Sequence, residues 1–323
     1  MPPLRTIFMG TPELACASLR ALIHSPDVQV VAVVTQPDRA KGRDLKLQPS
    51  PVKLLASQAR LAVLQPERAR NEDFIQELRN AQPDLIAVAA YGQILPQTIL
   101  DLPRFGCLNV HTSLLPKYRG AAPIQWAILN GDPETGVTIM KMDAGMDTGP
   151  ILTQEKTPIH PEDTSETLHD RLARLGAGLL LRTIPDYVAG NVQLRPQPAE
   201  GVSHAPKIKK SDGQIDWNQP AAAIWNRVRG LVPWPGAFTH LPALPQPRLL
   251  KIWQVQVVEI SGPPGKILRA DKTGIVVGCG RGALQIQILQ REGGRRLSAA
   301  EFLAGHPLHP GQILGSRSDE KSE

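Results

Sequence analysis

Cys107-Leu-Asn-Val-His-Thr-Ser-Leu-Leu-Pro-Lys-Tyr-Arg-Gly-Ala-Ala-Pro-Ile-Gln-Trp126 is the stretch on which the fold turns. Cys107 to His111 reads as a short apolar strand and Pro123 to Leu129 as a helix, with a turn-rich segment between them. The same rhythm extends toward the N-terminus. Leu4 to Phe8, Val28 to Thr35 and Asp84 to Ala90 read as buried strands, and Thr135 to Met142 as a fifth. Glu13 to Ile23, Pro51 to Arg60 and Asp73 to Asn80 read as helices, with Pro12 suited to the first helical position. Strands and helices alternating at this spacing predict an α/β unit with a mostly parallel sheet covered on both faces.

Beyond it, Leu168, Leu172, Leu175 and Leu179 line one face of a long helix from Thr164 to Ala189, which closes the first domain at about residue 190. Residues 191–210, rich in Pro, Gln and charge, read as an exposed linker. From residue 211 to 315 the texture changes. One helix, Ala221 to Arg229, is followed by short β-like runs at Lys251 to Val258, Gly274 to Val277 and Leu284 to Leu289, which predicts a small barrel. Residues 316–323 read as a flexible tail.

The 323-residue chain is long enough for two domains, and 41% hydrophobic and 20% charged residues exclude a disordered or fibrous class. Three widely separated cysteines, Cys16, Cys107 and Cys279, have no metal-ligand spacing, so a reducing, cytoplasmic setting is expected and no metal. No apolar run approaches the ~18 residues of a membrane span. No P-loop and no HExxH occurs, and Gly10 stands alone, so a dinucleotide cofactor is disfavoured. Charge is unevenly spread. Residues 1–200 hold 20 Lys/Arg against 21 Asp/Glu, whereas residues 201–318 hold 15 against 6. A basic second half attracts polyanions, although a solvated basic surface without a ligand fits the charge count equally well.

Asn109 and His111, two apart at the end of a strand, leave it on the same face, at the sheet edge where ligands gather in α/β folds. An amide donor beside an imidazole suits a developing oxyanion, while taken alone the pair also fits a capping Asn and a structural His. Asp147, between Gly145 and Gly149, fits a tight loop that presses a carboxylate into a cleft, and equally an ordinary solvated turn. Arg39, Lys41, Arg43 and Lys46 stud a thirteen-residue stretch, Pro37 to Pro49, longer than usual for a βα connection. Trp217, Trp225 and Trp234 sit among apolar neighbours and are expected to pack in a core rather than stack on bases.

Taken jointly, the Asn109/His111 and Asp147 segments resemble the 10-formyltetrahydrofolate-dependent formyltransferases, whose Asn, His, Asp triad falls on these three residues. The resemblance spans nearly the whole chain. It includes Phe8-Met-Gly-Thr-Pro-Glu13, the Thr35 to Lys53 loop, Ala205-Pro-Lys-Ile208, Ile215-Asp-Trp217 and Pro233-Trp-Pro-Gly-Ala-Phe238. It implies a Rossmann-like catalytic domain followed by an OB-like barrel. It implies formyl transfer from 10-formyltetrahydrofolate, seated by Ser113, Leu114, Leu115 and Pro116 with apolar walls from Ile94 and Leu95, and an acceptor-amine pocket at Gly10, Thr11 and Pro12. The match is closest to the branch acting on initiator methionyl-tRNA. That implies RNA contacts from Arg39, Lys41, Arg43 and Lys46, with Arg43 the critical arginine, while Lys207, Lys209 and Lys210 in the linker offer phosphate contacts by charge alone. After Arg43 the run Asp44-Leu45-Lys46 is less basic than the branch's usual pattern. The expected protein is a monomer. The alternatives are a formyltransferase for an amino-sugar nucleotide or glycinamide ribonucleotide, and a catalytically silent RNA-binding relative.

Overall fold

A computed structural model describes residues 2–41, 46–241 and 248–315. The chain divides into two compact units. One combines the segments up to Pro123, Glu134–Pro158 and His169–Pro206; the other combines Ile124–Pro133, Ile159–Leu168 and the chain from Lys207 onward.

The first half contains β1 (Leu4–Gly10), α1 (Glu13–His24), β2 (Val28–Val34), β3 (Arg39–Lys41) and β4 (Lys46–Gln48). Next come α2 (Pro51–Gln58), β5 (Val63–Leu64), α3 (Glu72–Asn80), β6 (Leu85–Ala89), α4 (Gln97–Leu100) and β7 (Cys107–His111). Then follow β8 (Arg119–Gly120), α5 (Pro123–Leu129), β9 (Glu134–Lys141), β10 (Ile151–Pro158), α6 (Ser165–Val188) and β11 (His204–Ala205). Side-chain caps set the helix starts: Ser50 accepts from Lys53 N–H, and Asn71 from the N–H groups of Asp73 and Phe74.

The seven-stranded sheet has the order β10-β9-β7-β6-β1-β2-β5. Its members from β7 to β5 are parallel, as the alternating pattern predicts. The fifth expected strand, β9, is present but runs antiparallel to β7, and β10, which sequence periodicity did not reveal, folds back beside it. Ile7, Met9, Val34, Ile86, Val88, Phe74, Leu78 and Ile99 form the core of this unit. Parallel register places Met9, Val88 and Asn109 in one row across β1, β6 and β7, so Gly10 and Asn109 lie near the carboxyl edge of the sheet on strands separated by β6.

The second unit holds α7 (Ala221–Gly230), β12 (Ala237–Leu241), β13 (Arg248–Val258), β14 (Ile267–Asp271), β15 (Gly274–Gly278), β16 (Ala283–Arg291), β17 (Leu297–Ser298) and α8 (Ala299–Gly305). Its antiparallel sheet, ordered β12-β13-β16-β15-β14 with β17 on β16, is bent by register shifts in β13. Trp217, Ile224, Val228, Leu250, Ile252, Ile275, Leu284, Ile286 and Phe302 fill its core, in keeping with a small OB-like domain.

Two expectations need correcting. Trp217 is buried, donating from Nε1 to Thr239 Oγ1, and Trp225 is half-buried beneath the Arg229 guanidinium, but Trp234 is 56% exposed. The stretch 191–210 is not simply an exposed connector, because Ile151 and Arg195 exchange two backbone hydrogen bonds and β11 pairs with β8. The tail 316–323 lies outside the described residues.

Candidate active site

Asn109 and His111 lie at the end of β7, buried at 8% and 5% exposure. Strand alternation sends both to one face. Opposite them stands Asp147, on the loop between β9 and β10, with its backbone in the left-handed region (φ 53°). Asn109 Nδ2 lies 3.5 Å from Asp147 Oδ1, and His111 Nδ1 lies 3.6 Å from Asp147 Oδ2. Both separations exceed an ideal hydrogen bond, so the three side chains converge without locking together. What holds the carboxylate is the Gly120 N–H, which donates to Oδ2 at 2.8 Å.

His111 Nε2 faces the Tyr118 carbonyl at 2.9 Å. A carbonyl only accepts, so Nε2 carries a hydrogen and Nδ1 is left turned toward Asp147. The glycines flanking Asp147 are explained by close approach. A Cβ on Gly149 would fall 1.9 Å from the Lys141 carbonyl oxygen, and one on Gly145 1.9 Å from Thr148 Oγ1.

The Ser113–Pro116 turn is positioned by Thr138, which sits opposite His111 on β9. Its hydroxyl donates to Ser113 O (2.7 Å) and accepts from Leu115 N–H (3.1 Å) and Gln154 Nε2 (2.9 Å). Within the turn Ser113 and Leu115 are buried, at 0% and 3% exposure, Ser113 donating to Lys117 O and Leu115 packing on Met140 and Ile151. These two residues build the turn, and Leu114 and Pro116 are its more accessible members. Leu95 is likewise buried. At 3% exposure it belongs to the core, whereas its neighbour Ile94 is 79% exposed.

Gly10 is tightly enclosed, for a Cβ there would meet the Ala15 methyl, the Phe8 ring and Ala89 O within 2.9 Å. The Thr11 hydroxyl donates to Tyr91 O (2.9 Å), tying two sheet-edge loops together, and exposed Pro12 caps α1. The stretch expected to be a long loop forms an antiparallel ribbon of β3 and β4, in which Lys41 pairs with Lys46. Asp38 at its base accepts from Lys53 Nζ (2.7 Å) and Gln65 Nε2 (2.8 Å), bonds that hold its carboxyl below the usual range. Exposed Arg39 donates to Gln36 Oε1, while Arg43 lies outside the described residues. In the second unit Lys207, Lys209 and Lys210 are all exposed.

Sequence reasoning missed the Tyr118 carbonyl, the Gly120 N–H and Thr138. The first two sit in the quoted stretch, where Gly120 was the one signal, and Thr138 carried none. Among the described residues no group of three or more His, Cys, Asp or Glu is placed to hold a metal.

Two family models match, formyl transferase over residues 4–184 and formyl transferase, C-terminal domain, over residues 207–307. The chain belongs to the formyl transferase family. Among similar proteins, one from Geobacter sulfurreducens named methionyl-tRNA formyltransferase is 50% identical over 315 residues, covering 98% of each chain. One of the same name from Citrifermentans bemidjiense is 50% identical over 317 residues, again 98% of each. Among solved structures, an N-formyltransferase from Helicobacter canadensis, in complex with folinic acid and dTDP-3-aminofucose, matches with a TM-score of 0.63 at 20% identity. The match covers 90% of this chain and 99% of that one. At that identity the likeness establishes the fold.

Proposed function

We propose that this chain transfers the formyl group of 10-formyltetrahydrofolate to the α-amino group of methionine on initiator methionyl-tRNA, acting as a cytoplasmic monomer in translation initiation. The carrying observation is the convergence of Asn109, His111 and Asp147, remote in sequence, on one buried point at the carboxyl edge of the sheet. The choice of acceptor is supported by full-length relatives of that name at 50% identity.

The amine attacks the formyl carbon, and the carbonyl oxygen gains negative charge in the tetrahedral transition state. Asn109 Nδ2 and the protonated ring of His111, through Nδ1–H because Nε2–H is held by the Tyr118 carbonyl, donate to that oxygen, in surroundings dry enough to strengthen both bonds. Asp147 keeps the imidazole oriented and takes the proton the amine gives up, directly or through water. The bond from the formyl carbon to N10 breaks as the tetrahedral species collapses, and N10 leaves with the proton that the amine gave up, returned from Asp147 directly or through water. Leu114, Pro116 and Ile94 offer the folate its surface, and Gly10, Thr11 and Pro12 border the amine. Arg39, Lys41, Arg43 and Lys46, together with Lys207, Lys209 and Lys210, contact the RNA backbone.

The test is formyl transfer from a labelled folate donor to methionyl-tRNA, run beside amino-sugar nucleotides and glycinamide ribonucleotide. Preference for a small acceptor would reject the tRNA assignment. Tight binding of methionyl-tRNA without turnover would reject catalysis altogether.

A further inference from the structure

Residues 195–205 cross the loops that carry the site. Pro116 O, Tyr118 N–H and Arg119 N–H all bond to Ser203, and the Ala121 and Ala122 N–H groups both donate to Ala205 O. Within this strap one side chain turns inward. From Gln193 to Glu200 every residue is exposed except Gln197. Both hydrogens of its amide are used, Nε2 donating to Asp147 O and to Gly149 O, each at 2.8 Å. Its Oε1 accepts from Nε and Nη2 of Arg119 at 3.0 and 2.7 Å, which fixes which way the amide faces.

The bonds close a ring around the candidate base. Asp147 is held through its carbonyl by Gln197 and through its carboxylate by Gly120 N–H, and Gln197 is held in turn by Arg119, the residue before Gly120. Three consecutive residues thus serve three partners: the Tyr118 carbonyl takes His111 Nε2, Arg119 takes Gln197, and the Gly120 N–H takes Asp147. The left-handed backbone at Asp147 is unfavourable for a residue with a side chain and persists only when its surroundings over-determine it. The Gln197 amide supplies that restraint, since it grips the carbonyls of Asp147 and Gly149 across the bend.

We infer that Gln197, fixed by Arg119, is a positioning residue that keeps the Asp147 carboxylate within reach of His111 during formyl transfer. The inference rests on the active-site reading above. Neither residue touches the reacting atoms, so the effect must pass through Asp147. Gln197→Leu keeps the side chain's bulk and removes every donor. It is expected to lower kcat by up to about 10²-fold, the scale of a small misplacement of a catalytic group, while KM for folate and for tRNA stays within about threefold. In an Asp147→Ala background the same change is expected to cost nothing further. Arg119→Lys, which keeps the charge and removes the two-pronged hydrogen bond, serves the same cycle should Gln197→Leu not fold. Nitrogen NMR shifts of the His111 ring give a readout independent of turnover, and Gln197→Leu is expected to move them. A wild-type kcat in Gln197→Leu, equal losses in both backgrounds, or unmoved ring shifts would overturn the positioning role. Wild-type turnover in Asp147→Ala alone would instead overturn the active-site reading on which it rests.

Discussion

Two loops border the candidate site, and they are held by opposite means. The Ser113–Pro116 turn is pinned from beneath by Thr138, a fully buried hydroxyl on the adjacent strand that makes three hydrogen bonds to it and to Gln154. The Asp147 bend is pinned from outside by Gln197, a half-buried amide fifty residues further along, on a segment without regular structure. The contrast teaches that the first loop is part of the folded core, whereas the second is an independently clamped element. Disturbing the first should cost stability before chemistry, and disturbing the second chemistry before stability.

The largest expected effect lies where both loops meet. Asn109→Ala, His111→Ala and Asp147→Ala should each lower turnover by ~10²-fold or more with an unchanged melting temperature, measured by single-turnover formyl transfer and thermal unfolding. An unaltered rate in any of them would break the picture of a shared site. Next, Thr138→Val leaves the buried Leu115 N–H unpaired. A loss of about 1–3 kcal/mol in unfolding free energy is expected by denaturant titration, which sharpens the contrast with Gln197→Leu if the latter leaves stability unchanged. Third, Lys207→Ala, Lys209→Ala and Lys210→Ala together should flatten the dependence of log affinity for tRNA on log salt. The slope should fall by about 0.7–0.9 for each phosphate the protein no longer neutralises, with folate affinity unaffected. An unchanged slope would remove these lysines from the RNA surface.

The smallest effect concerns acid. In the second unit Asp216 is held below its ordinary value by hydrogen bonds from Gln219 and Asn218, and Asp271 by those from Thr273. A carboxyl lowered in the folded state stabilises it above the unfolded pKa and ceases to do so as pH falls through the folded one. The contribution of these two carboxyls to the melting temperature should therefore be constant well above the ordinary aspartate value of 3.8 and decline as pH falls below it. Because both groups are solvent-facing the decline should be modest, and Asp216→Asn should reduce it.

Much of this architecture is legible in the chain. The strand Cys107–His111 and the helix Pro123–Leu129 fall where the residue pattern puts them, and period-two alternation puts Asn109 and His111 on one face. The β-branched run at Val28–Val34 marks a central strand for the same reason. The rest was not legible because it depends on partners remote in sequence. Burial at Ser113 and Leu115 against exposure at Trp234 is decided by what packs on each, and hydropathy is alike in kind for residues that line a core and those that line a cleft.

The amino-acid sequence alone determined the alternating α/β order, the pairing of Asn109 with His111 and the basic character of the second half, because each is encoded in neighbours a few positions apart or in simple composition. Tertiary structure decided the antiparallel course of β9 and β10, the convergence of Asp147 on His111 across 36 positions, and the clamp from Arg119 to Gln197 across 78. Hydrogen bonds over such separations leave no periodic trace, and they exist only once the backbone has brought their donors and acceptors together.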